Sequence, residues 1–266
     1  MTVSTPQDEM TPLFHDMICR FLEQEVTPHY EAWEEAGEMP RALWRQMGEA
    51  GLLGIDMPEA LGGAGADVAI TQLVIEEISR HGFGGLASAY NIHANIVMPY
   101  LLHIATPAQQ QRWLPSMTSG EAIGAIAMTE PGAGSDLAAI KTRARRTPAG
   151  WRLEGSKIFI TNGQVADLVI VCAKTDPDAG AKGVSLFLVD TSLPGFTRGQ
   201  PIKKIGQHAS DTAELFFDGI ELPEDALLGE EGAGFAYLMQ ELPRERLGVG
   251  AQALGAMQGA LELTLE

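Results

Sequence analysis

Over the first 122 positions apolar residues recur at three- to four-residue steps, the spacing of a helix with one buried face. Leu13, Met17, Phe21 and Val26 form one stripe, Leu43, Met47 and Leu52 a second, and Ile70, Leu73, Val74 and Ile78 share a face within 67–80. The glycine-rich PEALGGAGAD (58–67) separates the last two, and no helix runs through such a stretch. Pro107 opens a further helix through Gln109 and Trp113, with Pro115 in it or near its end. From Ile123 the period shortens: IGAIAMT, KTRARRT, WRLEG, SKIFITNG, LVIVCAK, VSLFLVD and AELFFDGIEL are β-rich runs parted by Gly, Pro, Asp and Asn. Gly150 separates two of them as a hairpin turn would. After about position 231 the helical period returns. Leu247, Leu254, Leu261 and Leu265 lie on one broad face, joined by Met257 and Gln258, while Gly250, Ala251, Ala253, Gly255, Ala256 and Gly259 let partner helices come close.

The pattern predicts an α+β multidomain protein: an N-terminal all-α bundle (1–122), a middle β-barrel or sandwich (123–231) and the start of a C-terminal helical bundle (232–266). Strands that follow one another without helices between them exclude a doubly wound parallel sheet. Pro243 is read as opening a helical turn, with Glu245 in that turn, where a negative charge suits the helix dipole. One apolar helix beside a β-domain has nothing to pack on, so the expectation is that the chain is incomplete or that partner helices come from elsewhere.

Composition adds limits. With 45% apolar and 20% charged residues, the chain is of ordinary globular type. No apolar run approaches the ~20 residues of a membrane helix. A formal charge of −17 argues against a nucleic-acid partner, although a local basic patch and backbone N–H groups still suffice for an anionic cofactor. The dense basic run Arg143, Arg145, Arg146 is expected on a solvent-facing strand. Cys19 and Cys172 stand far apart in no metal spacing, as two reduced thiols. The N-terminus, MTVSTPQDEM, carries neither the basic start and apolar core of a secretory signal nor the arginines of a transit peptide, so the expectation is a bacterial cytoplasm.

Candidate chemistry centres on AMTEPGAGSD (127–136). Its glycines suggest a phosphate cradle, yet the dinucleotide fingerprint needs a third glycine before a helix and the phosphate-loop motif needs Gly-Lys-Ser/Thr. Neither is present. Instead TEPGAGSD sits where the helical texture gives way to strands. GLLGIDMPEALGGAGAD precedes it, and GSKIFITNGQVADLVIVCAKT and KIGQHASDTAELFFDGIELPEDALLGEEGAGFAYLMQELPRERLGVGAQALGAMQGAL follow in order. This succession resembles the acyl-CoA dehydrogenases along the whole chain, and QELPRERL is most similar to their long-chain and isovaleryl types.

The resemblance implies flavin adenine dinucleotide (FAD) as cofactor and an acyl-CoA thioester as substrate. The α-proton would pass to a glutamate and the β-hydride to the flavin, with electrons handed to an electron-transferring flavoprotein. It assigns Met128, Thr129, Gly132, Gly134, Ser135, Phe159, Ile160 and Thr161 to the cofactor, and Ser135 and Arg246 to substrate. Glu245, immediately before an arginine, becomes the base. Without the family, Glu245 reads as an acid at a helix start and Arg246 as its surface partner. Position 159, often tryptophan in the family, is phenylalanine, which keeps ring stacking and loses the indole N–H. The family's habit implies a homodimer or homotetramer. An oxygen-using acyl-CoA oxidase and a non-catalytic or truncated flavin-fold protein remain the alternative readings.

Overall fold

A computed structural model describes residues 6–265. Residues 1–5 and 266 lie outside the described residues, and with them part of the N-terminal reading and the last residue of the expected final helix.

The N-terminal part is a helical bundle: α1 (Pro6–Phe21), α2 (Tyr30–Ala36), α3 (Arg41–Glu49), α4 (Val68–Arg80), α5 (Gly84–Tyr90), α6 (Met98–Ile104) and α7 (Pro107–Thr118). A π-helical segment, Asn91–Val97, joins α5 to α6 in one helical run. The second and third stripes bury as expected, through Leu43, Met47 and Leu52 and through Ile70, Val74 and Ile78. Asp67 caps α4 by accepting from Ala69 N, and Thr106 and Gln109 make a capping box at the start of α7, with Pro107 behind it and Pro115 inside. The first stripe is corrected at one end: Phe21 and Val26 bury and Met17 half-buries, but Leu13 is 68% exposed and Ile18 and Leu22 complete the buried face. Leu13 lies five residues, or about 140° of rotation, from Ile18, off the buried arc.

Eight strands follow: β1 (Gly124–Ala127), β2 (Arg143–Thr147), β3 (Gly150–Thr161), β4 (Leu168–Lys174), β5 (Val184–Asp190), β6 (Phe196–Arg198), β7 (Thr212–Pro223) and β8 (Leu227–Leu228). They form one mixed sheet in the order β6-β7-β3-β2-β4-β5-β8, with β1 parallel to β4. Gly150 does sit at the β2–β3 hairpin, opposite Thr147. WRLEG and SKIFITNG, expected as separate runs, are one strand, with register shifts between Leu153 and Gly155 and between Lys157 and Ile160. Every residue of β4 is buried, because it serves two cores. Leu168, Ile170 and Cys172 face the helical bundle, while Val169, Val171 and Ala173 face the core enclosed by the sheet. That double burial is why LVIVCAK reads as continuously apolar.

The last element, α8 (Gly234–Leu265), corrects two expectations. Pro243 does not open a turn. It lies inside a continuous helix, where it withholds one backbone hydrogen bond, so Glu245 is mid-helix and gains nothing from an N-terminal dipole. Nor does α8 lack a partner in this chain, since it packs on α4 through glycine. A Cβ added at Gly255 would stand 2.0 Å from Glu76 O, and one at Gly259 2.0 Å from Arg80 O. Arg80 and Glu262 clamp the far end at 2.7 Å. The leucine face is left outside: Leu247, Leu254, Leu261 and Leu265 are all exposed. Among the described residues no helix is long and apolar enough to cross a membrane.

Candidate active site

The loop leaving β1 is built as a turn and fastened from below. Glu130 N donates to Ala133 O at 2.8 Å and Ala133 N returns to Glu130 O at 3.1 Å, enclosing Pro131 and Gly132. Pro131 takes the position a tight turn favours for proline. The Glu130 carboxylate points inward, accepting from Lys141 N at 2.6 Å, Thr142 N at 2.9 Å and Lys157 Nζ at 2.9 Å. Lys157 also donates to Met128 O at 2.9 Å, so one fully buried ammonium holds both ends of the Met128–Glu130 segment. Burial pushes the Glu130 carboxyl up, but Lys157 and the backbone donors outweigh it and leave it below the usual range. Burial draws the Lys157 ammonium down against the pull of Glu130.

Above this staple the loop is open. Gly132, Gly134 and Ser135 are exposed, and a Cβ added at either glycine would meet nothing within 4 Å. A bound group can therefore approach the backbone there. Thr129 and Thr161 are partly buried, as is Met128. β3 contributes the least comfortable residue: Phe159 has φ of +60° and is 61% exposed. Few non-glycine residues adopt this conformation and bulky ones rarely do, at a cost of about 1–3 kcal/mol. It falls in the register shift after Lys157, which turns the phenyl ring outward while Ile160, at 3% exposure, returns to the sheet core. The Ile160 side chain is thus committed to packing, and only its backbone is left for a ligand. Next to it Asn162, also at positive φ, donates to Ala89 O and Gly124 O and ties β3 to α5 and β1.

Glu245 lies on α8. Its Oε1 accepts from the hydroxyl of fully buried Tyr100 at 2.8 Å. Burial raises the Glu245 carboxyl above the usual range, the Tyr100 hydrogen bond opposes this, and the charge of Glu241 adds to it. Glu241, one turn earlier and buried, is paired with His103 Nδ1 at 2.9 Å. On β4, burial lifts the Cys172 thiol to about 12, Lys157 works against it, and the charges of Glu245 and Glu130 both add.

Several partners escape sequence reading. Arg246 is exposed, whereas its neighbour Arg244 is mostly buried and anchors α8. Arg244 Nη2 lies 2.6 Å from Asp56 Oδ2, an ion pair by proximity, and Nε donates to Asn95 O and Oδ1 at 3.1 Å. Nothing local to PRER marks which arginine faces inward, because Asp56 and Asn95 come from the distant bundle. Lys157 did leave a signal. It occupies the inward phase of β3 after Trp151 and Leu153, where a lysine needs a buried partner. The basic run behaves as expected: Arg143 pairs with Glu154, and exposed Arg146 with Glu224 and Glu231.

Comparison with known proteins fits this geometry. Residues 8–121 match the family model of the acyl-CoA dehydrogenase N-terminal domain, and residues 125–220 that of its middle domain. The chain is 48% identical over 254 residues to the long-chain specific acyl-CoA dehydrogenase, mitochondrial, of Rattus norvegicus, covering 95% of this chain and 59% of that protein's length. An acyl-CoA dehydrogenase from Geobacillus kaustophilus superposes with a TM-score of 0.92 at 44% identity, over 99% of this chain and 68% of that one. A glutaryl-CoA dehydrogenase from Mycobacterium smegmatis, in complex with FADH2, superposes with a TM-score of 0.89 at 33% identity, over 97% and 65%. This chain spans less than two thirds of the rat relative, and within that span the helical bundle, the stapled loop on the mixed sheet and the glutamate-bearing helix coincide with one family's two domain models and its solved folds: the chain belongs to the acyl-CoA dehydrogenase family.

Proposed function

We propose that this chain supplies the cofactor loop and the base of an FAD-dependent acyl-CoA dehydrogenase, which converts an acyl-CoA thioester to the trans-2-enoyl-CoA. One observation carries the proposal: Glu245 is a carboxylate whose proton affinity burial raises, held by one buried tyrosine in the middle of a helix, with no ammonium or guanidinium bonded to it among the described residues. A structural glutamate in a protein interior is normally neutralised by a cation or by several N–H donors. A general base needs the opposite, a proton affinity lifted toward working pH.

The open side of the loop fits a flavin nucleotide. The clearance over Gly132 and Gly134 admits a pyrophosphate to backbone N–H groups, Ser135 offers a hydroxyl, and the outward ring of Phe159 offers a stacking face. Bound there, FAD supplies the hydride acceptor that no side chain provides. Thr129 and Thr161 offer hydroxyl or backbone donors to the ring system, with Met128 and the Ile160 backbone beside them. Glu245 takes the α-proton at a carboxylate oxygen. Tyr100 orients that carboxylate, and exposed Ser135 and Arg246 are the side chains assigned to substrate by the family resemblance. Transfer of electrons to an electron-transferring flavoprotein and assembly as a homodimer or homotetramer belong to the same proposal, and the exposed leucine face of α8 supports contact with further protein.

The test is the visible spectrum of the intact, FAD-loaded protein without oxygen, before and after a saturated straight-chain acyl-CoA is added. The flavin band should bleach, and Glu245→Gln should slow bleaching by about 10²–10⁴-fold, the usual contribution of a general base. Bleaching at an unchanged rate in the variant would remove Glu245 from the mechanism. A protein that takes up no FAD would contradict the cofactor reading.

A further inference from the structure

Away from the candidate active site, on the side of α4 turned toward α1, three different metal-ligating side chains converge. His15 and Cys19 stand one turn apart on α1, and Glu77 faces them from α4. His15 Nε2 lies 3.3 Å from Glu77 Oε1 and 3.8 Å from Cys19 Sγ, and Cys19 Sγ lies 3.7 Å from Glu77 Oε2. A tetrahedral zinc site has ligand bonds of about 2.0 Å to nitrogen or oxygen and about 2.3 Å to sulfur, so its edges measure about 3.3 Å between nitrogen and oxygen and about 3.6 Å where sulfur is one corner. Each separation is within a few tenths of an ångström of such an edge, with the nitrogen meeting Glu77 Oε1 and the sulfur Oε2, so the carboxylate would bind through both oxygens or turn to present one.

Ordinary packing accounts less well for this arrangement. Glu77 is buried on the apolar inner face of α4, yet among the described residues its carboxylate accepts no backbone N–H. Its other neighbours are weak or turned away. Arg80 Nη1 stands 3.5 Å off, and the Arg80 guanidinium is engaged chiefly with Glu262. The His81 ring is bonded to Glu77 O, with its Nδ1 4.0 Å from the carboxylate. A thiol is a weak donor, so the Cys19–Glu77 contact does not satisfy a buried carboxylate.

We propose that His15, Cys19 and Glu77 form a binding site for a divalent transition cation of the zinc type, with water as the fourth ligand. Imidazole, thiolate and carboxylate together suit zinc and cobalt better than the hard ions magnesium or calcium. On binding, the Cys19 S–H bond breaks, its proton leaves to solvent and a sulfur–metal bond forms. Without metal, burial and then the Glu77 charge hold that thiol up at about 11, so it is a poor free nucleophile. The site would clamp α1 to α4, the helix on which α8 packs.

The test is a Co2+ titration of the intact, reduced protein, followed by difference absorbance. The expected result is a sulfur-to-cobalt charge-transfer band that saturates at one Co2+ per chain and is discharged by Zn2+. Cys19→Ser should abolish the band and Cys172→Ser should retain it. His15→Ala should weaken Co2+ binding at least about tenfold, since even groups that only orient a metal ligand contribute that much. Zn2+ should also raise the melting temperature of the parent protein and leave that of Cys19→Ser unmoved, a readout independent of the absorbance. No sulfur band, a band that survives Cys19→Ser, or unchanged affinity in His15→Ala would each overturn the proposal.

Discussion

Two glutamates, buried Glu130 under the loop and half-buried Glu245 on α8, are pushed in opposite directions by their surroundings. Burial raises both, but Glu130 has an ammonium and two backbone N–H groups and ends below the ordinary range, while Glu245 has one tyrosine and a like charge and ends above it. The number of donors aimed at the carboxylate decides the sign. The consequences for folding are opposite too. Glu130 contributes stability that is present above the ordinary glutamate value and is lost as pH falls through its lowered one. Glu245 contributes stability that is present below the ordinary value and is lost as pH rises through its raised one, so its ionised form is kept at a cost. The first glutamate fastens the loop, and the second has the raised proton affinity that the proposed base requires.

The sharpest way to break this contrast is to remove the cation. Lys157→Met leaves Glu130 buried and uncompensated, and should destabilise the protein by about 3–5 kcal/mol in calorimetric or denaturant unfolding. Adding Glu130→Gln should recover part of that loss. A double variant as unstable as the single would mean that packing around Lys157, not its charge, matters. A smaller effect should act on the other member alone. At Gly255 a side chain has no room against the Glu76 carbonyl, so Gly255→Ala should push α8 off α4 and cost about 1–3 kcal/mol. Gly250→Ala, where an added Cβ meets nothing within 4 Å, should cost nothing. Equal losses at the two positions would remove the α4–α8 contact as the reason. The mildest change concerns the strained residue of β3. Phe159→Gly should relieve the positive φ and raise stability by about 1 kcal/mol while weakening FAD binding in equilibrium titration. Tighter FAD binding in this variant would contradict the stacking role of the ring.

The helical stripes at Leu43 and Ile70 and the TEPGAGSD turn after β1 are local patterns, and local patterns survive in a one-dimensional reading, whereas Glu245 and Arg246 are singled out only by the family resemblance. What a side chain meets was not visible. Tyr100 is 145 residues from Glu245, and Lys157 is 27 from Glu130. The β-bulge that turns Phe159 outward depends on register with β7, which strand propensity does not encode. Pro243 misled because proline favours the first turn of a helix. Here the contacts of α8 with the bundle carry the helix through it, a case of packing overriding propensity. The small residues of α8 were recognised as a close-approach surface, but the partner that uses it, α4, was supplied by the fold.

The central claim is that the interior holds one glutamate ionised for structure and another at raised proton affinity for chemistry. The direct measurement is a carbon-13 carboxyl titration of the protein labelled at glutamate Cδ, with Glu130→Gln and Glu245→Gln spectra to assign the two signals. Glu245 should titrate above the ordinary value of about 4.3 and Glu130 below it. A Glu245 signal that titrates at or below that of Glu130 would contradict the account.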